Sequence, residues 1–337
     1  NGATITVVNN TAHKAGDPDV AIEKLDRVEH AEITDWLDEE TVIVSKDNES
    51  LDPMRLEELS GMYPKSLYLY NVNTKQYKLL KEQNNAFLGG AVLSPDKKHL
   101  LYHEMDLGDP VYHVMNLETL QSFGLVGEPI GGAVSAHWAD KETIIGAAYG
   151  NGAYIAHATG EIGVLPGLEE AEGLYIVKKM KDTVYYNTNA DGTLRMLNLA
   201  TGEQSSLDLD QVYGVFPSPD GNQMLVLQYI GSKTSLILCD ATGGSKKTIA
   251  EGTDLGGVSW SPDQRMFAYS LKADAAGTTA NGLYLYDMLT GETTRIAVDL
   301  ELATTAWSPS GQALVYTEWK ANKPSSSIVH LKYSLQK

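Results

Sequence analysis

Trp260-Ser261-Pro262-Asp263 is followed closely by the apolar run Met266-Phe267-Ala268-Tyr269, and this combination decides the fold. Proline presets φ for the second position of a tight turn, and the aspartate accepts hydrogen bonds from the backbone that follows it. The apolar run has the length and the residue types of a β-strand. The phrase therefore predicts a corner between two antiparallel strands.

The same phrase recurs along the chain. Its other clear copies are Leu93-Ser94-Pro95-Asp96, Pro217-Ser218-Pro219-Asp220 and Trp307-Ser308-Pro309-Ser310. Two further copies keep the aromatic residue and the acid but lack proline, at Trp36-Leu37-Asp38 and Trp138-Ala139-Asp140, and a weaker seventh is centred on Asp182. Successive corners are 38 to 58 residues apart. A period close to this is typical of four-stranded propeller blades.

We therefore predict one all-β domain over residues 1–337: a seven-bladed β-propeller of four-stranded antiparallel blades. The last unit supplies only three strands after Thr304. The N-terminal run Ala3–Val8 is accordingly predicted to be the outer strand of the last blade, which closes the ring and protects its edge. Six blades is the alternative if the unit around Asp182 is irregular or the residues before Glu32 form something else.

The longest insertions are residues 47–64 and 272–281, and both fall between the second and third strands of a unit. The first predicts a short helix near residues 52–61, with Asp52 as its cap, Pro53 in its first turn and Gly61 at its end. Residues 273–281 are small and polar, which predicts a mobile loop. Both insertions belong to the face at which second strands end, here called the upper face.

Composition excludes several classes of function. Lys and Arg number 26 against 44 Asp and Glu, which gives a net charge of −18. Such a surface repels phosphate backbones and anionic lipids, so we expect no nucleic-acid partner. The single cysteine, Cys239, lies in an apolar run and is predicted to be a buried, non-reactive thiol. No apolar stretch is long enough to span a membrane, although a leader or lipid anchor could precede residue 1.

The corner phrase resembles the TolB-type WD-like β-propeller repeat, over residues 31–337. The resemblance implies a propeller fold. Members of that superfamily include periplasmic partner-binding proteins, propeller lids of peptidases and a few lyases. The chain has no Gly-x-Ser-x-Gly elbow and no room for a hydrolase domain, so the peptidase chemistry does not carry over.

Candidate binding residues follow from the predicted ring. The starts of its inner strands carry Gly89-Gly90, Gly131-Gly132, Gly173, Gly214 and Gly256-Gly257. They indicate crowding at a narrow mouth or, alternatively, a glycine-floored pocket. Polar and aromatic residues at the ends of the second strands are predicted to line the rim of that mouth: Lys46, Asp47, His103, Glu104, Tyr149, Asn187, Gln228, Glu318 and Trp319. Aromatic rings supply contact area and polar groups supply orientation, so such a rim suits a glycan, a peptide or a protein loop.

The sequence contains few motifs that indicate a metal site or a catalytic site. The eight histidines show no metal-ligand spacing, and His103-Glu104-Met105-Asp106 lacks the second histidine of a zinc motif. A metal held by His103 and His137 from different blades is the weaker alternative, so we predict no cofactor and no metal. We expect a non-catalytic, extracytoplasmic binding or scaffold protein, with a membrane-anchored bacterial lipoprotein as one form of it. The alternative is a propeller-type lyase or lactonase that acts at the axial mouth.

Overall fold

The computed structural model describes residues 8–9, 20–273, 280–300 and 303–333, and the regular secondary structure there is almost entirely β-strand. The strands of the first half are β1 (Val8–Asn9), β2 (Val20–Glu29), β3 (Glu32–Trp36), β4 (Thr41–Asp47), β5 (Lys65–Asn71), β6 (Tyr77–Lys81), β7 (Phe87–Leu93), β8 (His99–Met105), β9 (Val111–Asn116), β10 (Ser122–Gly124), β11 (Val126–Gly127), β12 (Gly131–Gly132), β13 (His137–Trp138), β14 (Thr143–Ala147), β15 (Ala153–His157) and β16 (Ile162–Val164). Those of the second half are β17 (Leu174–Met180), β18 (Thr183–Thr188), β19 (Arg195–Asn198), β20 (Gln204–Ser206), β21 (Val212–Pro217), β22 (Gln223–Ile230), β23 (Lys233–Asp240), β24 (Lys247–Gly252), β25 (Asp254–Trp260), β26 (Met266–Lys272), β27 (Gly282–Asp287), β28 (Thr293–Val298), β29 (Thr304–Trp307), β30 (Ala313–Lys320) and β31 (Lys323–Tyr333).

Consecutive strands pair into antiparallel sets of four. In chain order the sets are β3–β6, β7–β10, β13–β16, β17–β20, β21–β24 and β25–β28, followed by β29–β31 together with β2. A one-residue parallel pairing of Lys65 with Phe87 links the first two sets. Leading strands contact one another in the series β17, β21, β25, β29, β3 and β7, and β14 contacts β17. These sets confirm the predicted all-β class and its four-stranded antiparallel sheets.

The outer strand of the last sheet is β2, which pairs with β31 from Val20↔Tyr333 to Glu29↔Ser325. Ala3–Val8 was predicted to occupy this position, and that prediction was wrong. Within that run Val8 instead pairs with Arg295 of β28, at the edge of the preceding sheet, and residues 3–7 lie outside the described residues. The strand β2 carries many charged residues and a bulge between Ile22 and Lys24, which breaks the alternation that marks a strand in sequence.

The hydrophobic core consists of layers between neighbouring sheets. One cluster, for example, joins Leu225 and Leu238 of the β21–β24 sheet to Phe267 and Tyr284 of the next sheet. The first and last sheets share a cluster of the same kind, which contains Val28, Trp36, Val44, Val315 and Ile328. Each sheet therefore buries both of its faces, as continuous apolar strands such as β22 require.

Hydrogen bonds within the corner phrase explain why the phrase recurs. Ser261 Oγ lies 2.7 Å from Asp263 Oδ1 and accepts the backbone N–H of Met266 at 3.0 Å. Asp263 Oδ1 in turn accepts the N–H of Arg265 at 3.1 Å. The corners at Ser94 and Ser218 repeat this arrangement. Serine and aspartate together satisfy the turn backbone, so the chain can reverse between two buried strands.

The tryptophan that precedes most corners ties neighbouring sheets together. Four indole N–H groups each donate to a carbonyl of an adjacent leading strand: Trp36 to Ala306, Trp138 to Val92, Trp260 to Phe216, and Trp307 to Ser259, at 3.0–3.1 Å. The bond of Trp36 joins the first sheet to the last. A phenylalanine would fill similar space but lacks the donor, which accounts for tryptophan at these positions.

Two local predictions need correction. Residues 52–61 form no helix with Asp52 as its cap: the segment contains one 3₁₀ turn, Glu57–Leu59, which begins after Leu56 without a side-chain cap. Gly131–Gly132 is β12, which pairs with β11 in a small separate sheet ahead of the leading strand β13. In the predicted 273–281 loop, residues 274–279 lie outside the described residues.

Three of the other predicted glycine positions mark bulges. Register shifts of the leading strands fall at Gly89 in β7, before Gly214 in β21, and at Gly256 in β25. A bulge inserts an extra residue and bends the strand, which glycine tolerates best. Cys239 is buried, and burial raises the pKa of its thiol to about 11. In the described parts of the chain, no helix has both the length and the apolarity that a membrane crossing requires.

Candidate functional site

Two neighbouring cavities open on the upper face beside the junction of the first and last sheets. The outer cleft has a volume of about 780 Å³ and is lined by Glu29, His30, Lys46, Asp47, Asn48, Glu49, Ser50, Lys65, Tyr68, Tyr77, Asn322, Lys323 and Pro324. The inner pocket has a volume of about 330 Å³ and is lined by Glu32, Ser45, Met62, Lys65, Phe87, Leu88, Gly89, Gly90, His103, Met105, Trp319 and Asn322. Lys65 and Asn322 line both cavities, so the two form one extended site.

Lys65 is the central residue of this site. It begins β5 directly after the 48–64 insertion and pairs in register with Asp47, and its Nζ lies 2.9 Å from Asp47 Oδ1. The same ammonium lies 6.0 Å from the ring centroid of Trp319 across the sheet junction. The lysine therefore connects a carboxylate on the outer side of the site with an aromatic ring on the inner side.

Aromatic rings and a lysine form one wall of the outer cleft. Lys46 Nζ lies 4.0 Å from the ring centroid of Tyr77 and 5.2 Å from that of Tyr68, and the two rings pack edge to face. Burial raises the pKa of Tyr77 to about 12, so its hydroxyl remains protonated near neutrality. This wall offers flat apolar area beside a positive charge.

His103 forms the deepest polar part of the inner pocket. Gly90, at φ +59°, lies directly beneath the imidazole: a Cβ there would lie 2.5 Å from its Cδ2 and Nε2 atoms. Glycine is therefore required for the ring to lie in its present position. The Nδ1 of His103 is buried and has no hydrogen-bond partner among the described residues. Buried polar atoms without a partner are rare in folded proteins, which singles out this ring.

Burial sets the charges within the inner pocket. Desolvation lowers the pKa of His103, so its imidazole is neutral at pH 7. Desolvation raises the pKa of Glu32, and the positive charge of Lys65 opposes that rise. The pocket therefore combines a neutral imidazole, a half-buried carboxyl group and an ammonium group with apolar side chains and one indole.

Four of the predicted rim residues lie in this extended site: Lys46 and Asp47 in the outer cleft, and His103 and Trp319 in the inner pocket. Trp319 is 41 % exposed. Glu104 faces a different depression, where its carboxylate lies 3.5 Å from His113 Nε2. Tyr149 is exposed and its hydroxyl donates to Asp109 Oδ2 at 3.3 Å. Glu318 lies 3.5 Å from the guanidinium of Arg27 on β2.

Asn187 and Gln228 do not lie on the rim, in contrast to the prediction. Asn187 is only 2 % exposed, and its side chain bonds to the backbone of Ile176, Gly192 and Val212. Gln228 is buried and donates to the carbonyl of Asp210. Both amides satisfy backbone groups at the bulged starts of leading strands. Their role is structural, and a position at the end of a second strand does not reveal it.

Sequence reasoning missed Glu32, Lys65 and Asn322. Lys65 could have been found as the residue opposite Asp47 once the insertion was read as a hairpin loop. Glu32 begins a leading strand, the position at which only glycines were considered. Asn322 lies at φ +60° in the tight turn between β30 and β31, a conformation that asparagine adopts readily, and its part in the site depends on the packing of sheets distant in sequence.

The predicted absence of a metal remains a prediction. Within residues 8–9, 20–273, 280–300 and 303–333, His, Cys, Asp and Glu side chains form no group of three or more that could hold a metal ion. His103 and His137 therefore do not combine with another such residue into a metal-binding group.

Solved structures with the same fold have diverse functions. An oligogalacturonate lyase in complex with manganese is 15 % identical, with 98 % of this chain and 96 % of that chain covered and a TM-score of 0.65. The β-propeller domain of the trilobed protease from Pyrococcus furiosus is 15 % identical, with 91 % and 96 % covered and a TM-score of 0.60. TolB from Acinetobacter baumannii is 12 % identical, with 86 % and 63 % covered and a TM-score of 0.51.

No protein-family model matches the sequence, and no curated protein matches it by sequence. The fold similarity is therefore the finding that classifies the chain. At these low identities it says nothing about the site. It does confirm the fold that the corner phrase predicts, because the chain has a β-propeller fold like those of these three structures.

Proposed function

We propose that the sheets form a seven-bladed ring in which β2 completes the last blade. The proposal is supported by the succession of contacts between leading strands, which runs from β25 to β29 and from β29 to β3. It is also supported by the hydrogen bond from Trp36 to Ala306 and by the hydrophobic cluster between the first and last sheets. Pairing one terminal segment with the other in one sheet removes an exposed edge.

We further propose that the protein is a non-catalytic binding protein that holds an extended polar ligand on its upper face. The observation that carries this proposal is the extended site, in which Lys65 and Asn322 line both the outer cleft and the inner pocket. A ligand in the outer cleft would meet carboxylates, amides and ammonium groups, and its end would reach the indole of Trp319. Such a mixture suits a peptide or a glycan better than a purely apolar molecule.

The compartment is part of the same proposal. Likeness of fold to TolB supports an extracytoplasmic protein, and a lipid anchor on a preceding leader is the form we propose. Fractionation of cells that express the native gene, with mass spectrometry of the mature N-terminus, tests both points. Recovery of the protein in the cytosol without a processed leader would contradict them.

Ligand binding is expected to change the fluorescence of Trp319. The other four tryptophans donate their indole N–H groups to carbonyls within the protein, whereas Trp319 is exposed in the inner pocket. Titration with a panel of short peptides and oligosaccharides, each in neutral, acidic and basic forms, should identify a class that shifts its emission. The shift should be absent in Trp319→Phe.

Lys65→Met should weaken binding of that class about tenfold, which corresponds to about 1.4 kcal/mol. The matched control is Lys233→Met, because Lys233 begins the third strand of another sheet on the same face. Isothermal titration calorimetry measures both variants. Equal affinities in the two variants, or no binding across the panel, would exclude the extended site as the binding site.

A lyase is the second candidate, and the observation that favours it is that the side chains of His103 and Glu32 line the same inner pocket. A neutral imidazole can act as a general base. The binding proposal predicts that oligogalacturonate, the substrate named for the enzyme of similar fold, stays intact when incubated with the protein. Formation of an unsaturated product, detected by its ultraviolet absorbance, would contradict the binding proposal. The lyase would be supported if this product is not formed by His103→Ala but is still formed by His157→Ala.

A further inference from the structure

The strand registers place one residue from each of five sheets in a common layer. In the leading strands, Asp35 pairs with Ile43, His137 with Ile145, Lys178 with Tyr185, Phe216 with Leu225 and Ser259 with Ala268. Where the corner has a tryptophan, the residue immediately before it belongs to this layer, as with Asp35, His137 and Ser259. His137, Lys178 and Phe216 therefore come from three successive leading strands at the same height.

Lys178 is the cation of this layer that lacks a counter-ion. Among the described residues, no hydrogen bond or salt bridge involves its Nζ, which lies 5.9 Å from the ring centroid of Phe216. Its neighbour Lys179 differs, since the charge of Lys179 helps to lower the pKa of Asp140. Two adjacent lysines on one strand thus have opposite surroundings, one with a carboxylate nearby and one without.

Lys178 is surrounded by protein, yet part of its surface remains in contact with solvent. Its position on β17 and the nearness of its ammonium to the Phe216 ring on β21 place the Lys178 side chain between these two leading strands. Burial lowers the pKa of Lys178 to about 8, with no contribution from an acidic group. Burial, with the nearby charge of Lys178, also lowers the pKa of His137 to about 3. At pH 7 the pair is therefore an ammonium group beside a neutral imidazole, which retains one N–H donor.

The carboxylate of the layer, that of Asp35, already accepts hydrogen bonds from the protein backbone. Asp35 accepts the backbone N–H groups of Trp36 and Leu93, each at 2.8 Å, and it also lies in the field of Lys97. It belongs to the first sheet, whereas Lys178 belongs to the β17–β20 sheet. The positive charge at Lys178 is thus not neutralised within the layer.

We propose that the space between β13, β17 and β21 binds a small oxyanion or carboxylate, held by the ammonium of Lys178 and an imidazole N–H of His137. A desolvated ammonium with no internal partner gains most from a counter-ion, and charge-assisted hydrogen bonds are the strongest kind available. The anion is small because it must fit between neighbouring leading strands. This site is separate from the extended site of the upper face and does not depend on the function proposed there.

Sulfate and acetate are the probes, with chloride at matched ionic strength as the reference. Isothermal titration calorimetry of the wild-type protein should show saturable binding of one or both. Lys178→Met should weaken that binding at least tenfold, whereas Lys179→Met, on the same strand, should leave it within twofold. His137→Phe should weaken it several-fold, since it removes the second donor.

Thermal unfolding in chloride alone establishes whether each variant is folded. If Lys178→Met does not fold, Lys178→Gln replaces it, and Lys178→Arg, which keeps the charge, should retain binding. Absence of saturable sulfate and acetate binding to the wild-type protein would overturn the proposal. Equal loss in the Lys178 and Lys179 variants would also overturn it, because it would show a general effect of surface charge.

Discussion

Replacing Trp36 by alanine is expected to lower the free energy of unfolding by about 3–5 kcal/mol, the usual cost of removing a large buried side chain. Trp36 is completely buried between the first and last sheets, and its indole donates to the carbonyl of Ala306 at 3.1 Å. The substitution removes apolar contacts on both sheets and leaves that carbonyl without its donor. Urea unfolding followed by circular dichroism measures the change.

Two other tryptophans make this test specific. Trp307→Ala removes the equivalent indole, which donates to Ser259 between two sheets that are consecutive in the chain. In a closed ring the two substitutions should cost similar amounts. Trp319→Ala, at an exposed indole, should cost less than about 1 kcal/mol. A Trp36→Ala effect as small as that of Trp319→Ala would contradict the proposed closure.

Replacing Ser326 by alanine is expected to cost roughly 2–4 kcal/mol, although only one oxygen atom is removed. Its fully buried hydroxyl accepts the N–H of Ile33 at 3.0 Å, donates to the carbonyl of Ala31 at 2.8 Å and lies 2.8 Å from Thr317 Oγ1. The alanine variant leaves three buried polar groups with fewer partners. These groups hold the short connection between β2 and β3 against β30 and β31.

Ser325→Ala is the matched control for this prediction. Ser325 lies one position earlier on β31, and its hydroxyl accepts from Arg27 Nε at 3.0 Å at an exposed position. Its replacement should change stability by no more than about 0.5 kcal/mol. The two variants are compared by their denaturant midpoints, provided that the slope of the unfolding free energy against denaturant concentration is the same in both. Equal effects would mean that the buried network around Ser326 contributes little.

The sequence predicts the repeated elements better than the segments that connect them. A corner such as Ser261–Asp263 is recognisable because its hydrogen bonds are local, so its residues lie close together in the chain. The outer strand of the last sheet, Val20–Glu29, escaped notice because its pairing depends on a partner about 300 residues away. Local patterns cannot report a bond between distant segments.

The same contrast between local patterns and long-range contacts applies to the residues of the site. Trp319 and Lys46 were found because they follow apolar runs at the ends of second strands. The partnership of Lys65 with Trp319 depends on contact between the first and last sheets, which sequence spacing does not encode. Asn187 was mistaken for a rim residue because an amide that bonds the backbone and an amide that faces solvent are identical in sequence.

The pairing of β2 with β31 has a consequence for how the molecule is made. During translation β2 leaves the ribosome long before residues 323–333 are synthesised, so for most of that time its outer-strand position does not yet exist. Bringing together segments so distant in the chain is slow, since the entropy of the intervening loop must be overcome first. The nascent polypeptide must therefore carry an unpaired strand until residues 323–333 have been synthesised, and its many charged residues, such as Glu23, Lys24 and Arg27, help to keep that strand from aggregating.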